Sequence, residues 1–161
     1  MIPKSPARLV LDTNVCLDLF VYRDQRWQRL LQSMESREVT CLTREDCRTE
    51  WTLVLQYARF ALDDQAKQRA LDEFDRLMLM IDTQQPYEIT LPVCKDRDDQ
   101  KFLELAAASG AHYLISKDKA LLKLARRTRK LGLFEITTPE QWLARYENDT
   151  TLISQTNQLH G

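Results

Sequence analysis

Short apolar runs that alternate with segments of helical periodicity constrain the fold of this chain more than any other feature. Residues 8–11 form the first run, and Val15 and Leu19 then recur at helical spacing. Residues 39–42 and 112–116 form two further runs that are typical of buried strands. Strands that alternate with helices indicate a mainly parallel central sheet with helices on both faces. We therefore predict an α/β fold, a three-layer α/β/α sandwich.

The rest of the chain continues this alternation. Thr43, with Asp46 three residues later, is a candidate cap for the helix after the second strand. The pair Asp63-Asp64 is a candidate start for a helix whose apolar face extends to Met78, and Gly110 is a candidate helix end. The expected helices span residues 43–60, 63–78, 98–109, 119–127 and 139–146, and the other expected strands span residues 87–91 and 134–137.

The length of 161 residues fits one domain, expected over residues 1–147, and a polar, unpatterned tail over 148–161 that we expect to be flexible. No apolar run approaches the roughly 18 residues needed to span a membrane. The first residues lack a secretory signal pattern, so we expect a cytoplasmic protein. Its four cysteines are scattered, which predicts reduced, buried thiols and not a zinc site. The net charge of −1 means that any nucleic-acid site must come from local basic patches.

Three aspartates stand where strands are expected to end. Asp12 follows the first strand, Asp99 opens a helix after the strand expected at 87–91, and Asp118 follows the strand at 112–116. Ligands of parallel sheets lie beyond the carboxyl ends of the strands, so these acids should meet at one edge. Carboxylates that repel one another favour a cation, and oxygen donors suit Mg²⁺ or Mn²⁺, one or two ions. Each acid alone is more simply explained as a helix cap, but three at one edge favour a metal site.

Glu50 is a weaker candidate from the residues alone. It lies in a predicted helix beside Trp51, so its carboxylate could face inward. A buried carboxylate needs compensation, which a metal ion or a basic residue such as Arg48 could supply. The pattern leaves both explanations open.

Four segments resemble the successive motifs of the PIN domain. They are LVLDTNV at 9–15, TEWTLVL at 49–55, CKDRDDQKFLELA at 94–106 and HYLISKDKALL at 112–122. The resemblance covers roughly residues 8–146 and is closest to the bacterial branch that contains VapC-like toxin components of toxin–antitoxin systems. It implies a small α/β/α fold with a metal-dependent endoribonuclease site.

The resemblance assigns roles residue by residue. Its catalytic and metal-binding acids correspond to Asp12, Glu50, Asp99 and Asp118. Asp96 corresponds to an additional acid that either binds metal through water or shapes the loop. The supporting polar residues correspond to Thr13, Asn14 and Ser116. Either Asp98 or Asp99 could be the acid that points inward, and the position in the sequence relative to Phe102 favours Asp99. Many relatives carry another acid where this chain has Ala120, which puts a second metal site in doubt.

Basic residues near the acids are candidates for RNA contacts. Lys123, Arg126, Arg127 and Lys130 fall on one face of the helix expected after Asp118, and Arg23, Arg26 and Arg29 form a second group. The residues proposed to bind RNA are Lys95, Arg97, Lys117, Lys123, Arg126 and Arg127. Such charges are equally typical of a solvated surface, and those next to the acids could neutralise carboxylates instead.

The resulting hypothesis is hydrolysis of RNA by water activated at a carboxylate-held metal. Neither histidine is placed for metal-free acid–base catalysis. An aspartyl phosphatase would need an acid two residues after Asp12, where Asn14 stands. A catalytically inactive PIN fold that binds RNA or protein remains the alternative. The resemblance also implies an antitoxin protein over the acidic edge and a homodimer formed through the helices after Asp46 and Asp63. No membrane partner is expected.

Overall fold

A parallel sheet forms the centre of the computed structural model, which describes residues 6–82 and 90–159, with side chains described through residue 149. Five strands lie within these residues: β1 Ala7–Leu11, β2 Val39–Thr43, β3 Met78–Met80, β4 Tyr113–Ile115 and β5 Glu135–Thr137. Their order across the sheet is β3-β2-β1-β4-β5, and every neighbouring pair is parallel. The strand order reverses at β1, which places a crevice between β1 and β4, where ligands of such sheets bind.

Helices connect the strands. They are α1 Thr13–Phe20, α2 Gln28–Glu35, α3 Glu45–Val54, α4 Asp64–Leu77, α5 Gln100–Ser109, α6 Lys119–Leu122, α7 Ala125–Lys130 and α8 Pro139–Leu159. Short 3₁₀ turns cover Gln25–Trp27, Ala58–Phe60 and Arg97–Asp99. Across the described ranges, none of the helices combines the length and the apolar character that crossing a bilayer requires.

Successive residues of β1 pack into two different cores. Leu9 and Leu11 belong to a core on one face of the sheet, which is covered by α1, α2, α4 and α8. Val10 belongs to the core on the other face, which is covered by α5 and α6. This alternation follows from the two-residue repeat of a strand, and burial on both faces explains why the run is continuously apolar. The predicted three-layer α/β/α sandwich is confirmed.

The sheet edge differs from the expectation. Met78 was predicted to end a helix, but α4 ends at Leu77 and Met78 begins β3, where it pairs with Cys41 of β2. The apolar run from Leu77 to Met80 fits either periodicity, and pairing with the open edge of β2 decides in favour of the strand. Of the strand predicted at 87–91, residues 87–89 lie outside the described residues, and residues 90–91 have no regular secondary structure.

Three helix boundaries also need correction. Thr43 does not cap α3, because it is buried in β2, and Arg44 occupies the cap position without a side-chain capping bond. The single helix predicted over 119–127 is two helices, interrupted around the buried Leu124. The last helix does not end at Tyr146: α8 continues to Leu159, through the polar segment that begins at residue 148. That segment contains neither Gly nor Pro before Gly161, so nothing in its backbone stops a helix.

Candidate metal centre

Asp12 is the first residue beyond β1 and the N-cap of α1. Its backbone N–H donates to the carbonyl of Ile115 in β4, and the residue is only 4% exposed. The carboxylate accepts two hydrogen bonds: Oδ1 from the backbone N–H of Thr13 at 2.7 Å and Oδ2 from Ser116 Oγ at 2.6 Å. One bond comes from the first residue of α1 and the other from the residue after β4, and together they fix the orientation of the carboxylate at the carboxyl edge of the sheet.

Two further aspartates approach Asp12. Asp118 caps α6, where Oδ1 accepts the N–H of Ala120, and its own N–H donates to Ser116 Oγ at 2.9 Å. Asp99 lies at the end of the 3₁₀ turn before α5 and is buried, whereas Asp98 is exposed. One oxygen from each of Asp12, Asp99 and Asp118 lies within 4.8 Å of the others. Of the neighbouring pair Asp98 and Asp99, it is therefore Asp99 that turns inward, toward the other two acids.

Burial and the proximity of these carboxylates change their pKa values. Burial is the main cause that raises the pKa of Asp12 to about 6; the bonds from Ser116 and Thr13 oppose this, and the charges of Glu50 and Asp118 add to it. Burial also raises the pKa of Asp99, and a hydrogen bond with Asp118 raises it further. The same bond lowers the pKa of Asp118. The contact between the two carboxyl groups thus favours the protonated form of Asp99 and the ionised form of Asp118.

The donor set fits a hard divalent cation. All three groups are carboxylates, the ligands that Mg²⁺ and Mn²⁺ prefer. Among the described residues, no lysine or arginine forms an ion pair with any of the three. The four cysteines are buried free thiols, as predicted. The three aspartates together could hold an ion whose positive charge removes their mutual repulsion.

Glu50 lies beside this cluster but is not one of its three members. From α3, its Oε2 accepts a hydrogen bond from Thr13 Oγ1, and its Oε1 accepts one from Lys101 Nζ at 2.8 Å. Arg48, the base considered from the sequence, instead pairs with Asp75. Burial is the largest single influence on Lys101 and lowers its pKa. The hydrogen bond with Glu50 and the negative charges of Glu50 and other nearby groups together outweigh burial and hold the pKa above its usual value. Sequence reasoning missed Lys101, although it stands two residues after Asp99.

The remaining polar candidates have local roles. Asp96 is exposed and caps the 3₁₀ turn through the N–H of Asp98, and its charge adds to the rise in the pKa of Asp99. The side-chain oxygen of Asn14 is buried and, within the described ranges, has no hydrogen-bond partner. The bonds described above that orient the Asp12 carboxylate come from Thr13 and Ser116. Ala120 contributes its backbone N–H to Asp118.

Some of the basic candidates form ion pairs, and others are exposed. Lys117 pairs with the buried Asp18 at 2.6 Å, a contact that the sequence did not reveal. Lys95 and Arg97 are exposed beside Asp96. Lys123 follows α6 as its C-cap, whereas Arg126, Arg127 and Lys130 belong to α7, so the predicted single helical face is divided. All four of these residues are exposed. In the second group, Arg26 and Arg29 pair with nearby acids.

Comparisons with known proteins agree with this architecture. Residues 8–120 match the family model of the PIN domain. The fold is similar to a chain in the crystal structure of VapBC2 from Rickettsia felis bound to a DNA fragment from their promoter, with a TM-score of 0.52. That likeness covers 81% of this chain and 98% of the other, at 13% sequence identity, and therefore concerns the fold alone. No curated protein sequence matches the chain. The family that the motifs resembled is confirmed.

Proposed function

Since this chain belongs to the PIN domain family, we propose that it is a Mg²⁺- or Mn²⁺-dependent endoribonuclease. The observation that carries the proposal is the approach of Asp12, Asp99 and Asp118, whose oxygens lie within 4.8 Å of one another. These three residues would hold the cation. Glu50 would lie next to these ligands, held there by the hydrogen bond that it accepts from the Thr13 hydroxyl.

A divalent cation at this position would supply positive charge that makes water more acidic and offsets the charge developing on the phosphate. The protein's own residues prepare the site for it. Ser116 and the N–H of Thr13 hold both oxygens of Asp12. Ser116 Oγ also accepts the backbone N–H of Asp118, so one hydroxyl holds the carboxylate of Asp12 and the backbone of Asp118. Burial of Asp12 and Asp99 keeps these groups in fixed orientations before any ligand arrives.

The test of the metal centre is cleavage of labelled RNA oligonucleotides of varied sequence with Mn²⁺ or Mg²⁺. We expect cleavage that EDTA abolishes, and a loss of at least about a hundredfold in Asp99→Asn, because a ligand and its charge are removed. Asp98→Asn is the matched control, since Asp98 is the exposed neighbour outside the cluster. Full activity in Asp99→Asn, or activity insensitive to EDTA, would contradict the proposal. Mn²⁺ binding without any cleavage would favour the inactive RNA- or protein-binding module.

RNA is proposed as the substrate from the family and from the exposed cations of α7. Phosphate contacts by Arg126 and Arg127 should make binding salt-dependent, with a slope that falls by roughly 0.7 per lost contact to a single strand. The double variant Arg126→Gln/Arg127→Gln should therefore bind RNA more weakly and with a smaller salt slope. Arg69→Gln, at an exposed position of α4, is the control. An unchanged slope would exclude α7 from the RNA surface.

An antitoxin partner forms the last part of the proposal. The likeness to a VapBC2 chain supports it at the level of the fold. A small protein that covered the carboxylate edge would block access to Asp12 and Asp118. Its gene is expected beside the gene for this chain. Co-purification of the two products and inhibition of RNA cleavage by the neighbour are the expected results, and failure of both would remove the toxin assignment while leaving the nuclease intact.

A further inference from the structure

Both oxygens of the Glu50 carboxylate are already engaged by the protein. Oε2 accepts the hydroxyl of Thr13, and Oε1 forms an ion pair with Lys101 Nζ at 2.8 Å. The Lys101 side chain is only 17% exposed and that of Glu50 is 24% exposed, so the pair is largely removed from water. Loss of either partner would leave a largely buried charge without compensation.

Lys101 is held in place by more than Glu50. It lies in the first turn of α5, and its ammonium group also donates to the backbone carbonyl of Asp98. The same nitrogen lies 5.2 Å from the centre of the Phe102 ring, a cation–π distance. Three independent contacts therefore fix a positive charge between α3 and α5, beside the three-aspartate cluster.

The other acids around the cluster provide few free carboxylate ligands for a second ion. Asp18 is paired with Lys117, and Asp96 is exposed and caps a turn. The position two residues after Asp118 is Ala120, which brings no carboxylate. Only Asp12, Asp99 and Asp118 form a possible metal-binding group among the residues that the structure describes.

We propose that Lys101 occupies the place of a second cation beside Glu50, so that this centre binds a single divalent ion through Asp12, Asp99 and Asp118. The inference rests on the proposed function, because it concerns the same metal centre. Lys101 is a positioning residue here: it holds the Glu50 carboxylate toward Thr13 and supplies one permanent positive charge. A second ion would have to displace this ammonium group and would repel it at close range.

The number of Mn²⁺ ions bound per chain tests this assignment without reference to activity. EDTA-treated, desalted protein is titrated with Mn²⁺ by calorimetry, and the bound ions are examined by electron paramagnetic resonance. Two ions about 3.5–4 Å apart would give a spin-coupled spectrum, whereas a single ion would not. We expect one uncoupled Mn²⁺ in the wild-type chain.

Removal of the ammonium group should open the second position. Lys101→Met keeps most of the side-chain volume and frees Glu50, so the stoichiometry should rise from one to two and the spectrum should become coupled. Adding Glu50→Gln should return it to one. Lys101→Arg, which keeps the charge, and Lys67→Met, which removes a lysine of α4 that bonds to Gln56, should both remain at one.

Several outcomes would overturn the inference. A coupled pair in the wild-type chain would do so while leaving the metal-dependent function intact, as would a stoichiometry of one in a folded Lys101→Met. Circular dichroism checks the fold of that variant, and Lys101→Gln replaces it if it does not fold. No Mn²⁺ binding by the wild type would overturn the proposed function itself, and the two failures are thus distinguishable.

Discussion

The hydroxyl of Ser116 donates a hydrogen bond of 2.6 Å to Oδ2 of Asp12, a residue 104 positions earlier in the chain. The same oxygen accepts the backbone N–H of Asp118 at 2.9 Å. Ser116 follows β4 and Asp12 follows β1, so the pairing of these parallel strands creates the contact. A single, fully buried hydroxyl group therefore links the Asp12 carboxylate to the backbone of Asp118.

Replacing Ser116 with Ala should weaken the centre in two ways. The N–H of Asp118 loses its acceptor, which we expect to cost about 1–3 kcal/mol in the free energy of unfolding. Asp12 loses a bond that lowers its pKa, so protons should compete with Mn²⁺ at higher pH than in the wild type. Denaturant unfolding and Mn²⁺ titrations at several pH values measure both effects.

Ser33→Ala is the matched control for this change. Ser33 is also fully buried, but its hydroxyl bonds to the carbonyl of Leu30 within α2. It should lower stability without moving the pH dependence of Mn²⁺ binding. Equal pH profiles for the two alanine variants would show that Ser116 has no special role at Asp12.

The free energy of unfolding of the metal-free protein should depend on pH in a way that Asp12 causes. The pKa of this group is about 6 in the folded chain against 3.8 in the unfolded chain, so the folded state keeps a proton that the unfolded state releases between these pH values. The contribution of Asp12 to the free energy of unfolding therefore falls as pH rises from about 4 to about 6. In Asp12→Asn this fall is absent.

The measurement is the difference in unfolding free energy between Asp12→Asn and the wild type, both in EDTA. Between pH 4 and pH 7, the free energy of unfolding of the variant should rise relative to that of the wild type by up to about 3 kcal/mol. Taking the difference cancels the carboxylates that titrate in the opposite sense, such as Asp46 beside Arg44. A difference that stays constant over this range would show that Asp12 ionises as freely in the folded chain as in the unfolded one.

The sequence predicted the sheet better than its edges. Within the runs at 8–11 and 112–116, residues 9–11 and 114–115 are apolar and buried on both faces of the sheet, and this pattern permits little besides a central strand. Met78 was assigned to a helix because an edge strand of three residues carries no periodicity of its own. Its conformation depends on pairing with Cys41, a contact that lies outside any local sequence window.

The parts of the site that follow from the order of the strands could be predicted from the sequence, and the parts that depend on helix packing could not. Asp12 and Asp118 follow strands directly, so their meeting is a consequence of the sheet. The partner of Glu50 was not predictable, because Arg48 and Lys101 are equally plausible bases in the sequence. Only the packing of α3 against α5 places Lys101 at Glu50 and turns Arg48 toward Asp75.

Mn²⁺ should stabilise the folded chain in a way that depends on pH. A ligand at a hundred times its dissociation constant adds about 2.7 kcal/mol to the free energy of unfolding. At a fixed Mn²⁺ concentration, the gain should be larger at pH 7.5 than at pH 5, because Asp12 must lose its proton to bind the ion. Thermal unfolding with Mn²⁺ and with EDTA measures the gain. Asp99→Asn should lose it and Asp98→Asn should keep it; an equal gain in both would place the ion elsewhere.

Lys117 should act mainly through Asp18. The Asp18 side chain is 9% exposed and accepts the Lys117 ammonium group at 2.6 Å, so Lys117→Met would leave a buried carboxylate uncompensated. We expect a loss of about 1–3 kcal/mol in unfolding free energy, since Lys117 itself is 39% exposed. Adding Asp18→Asn should recover much of the lost stability, and the double-mutant cycle measures the coupling energy between the two side chains.

Lys119→Met, at the next exposed lysine, is the control. If Lys117 serves RNA instead, its replacement will leave stability unchanged and weaken RNA binding alone.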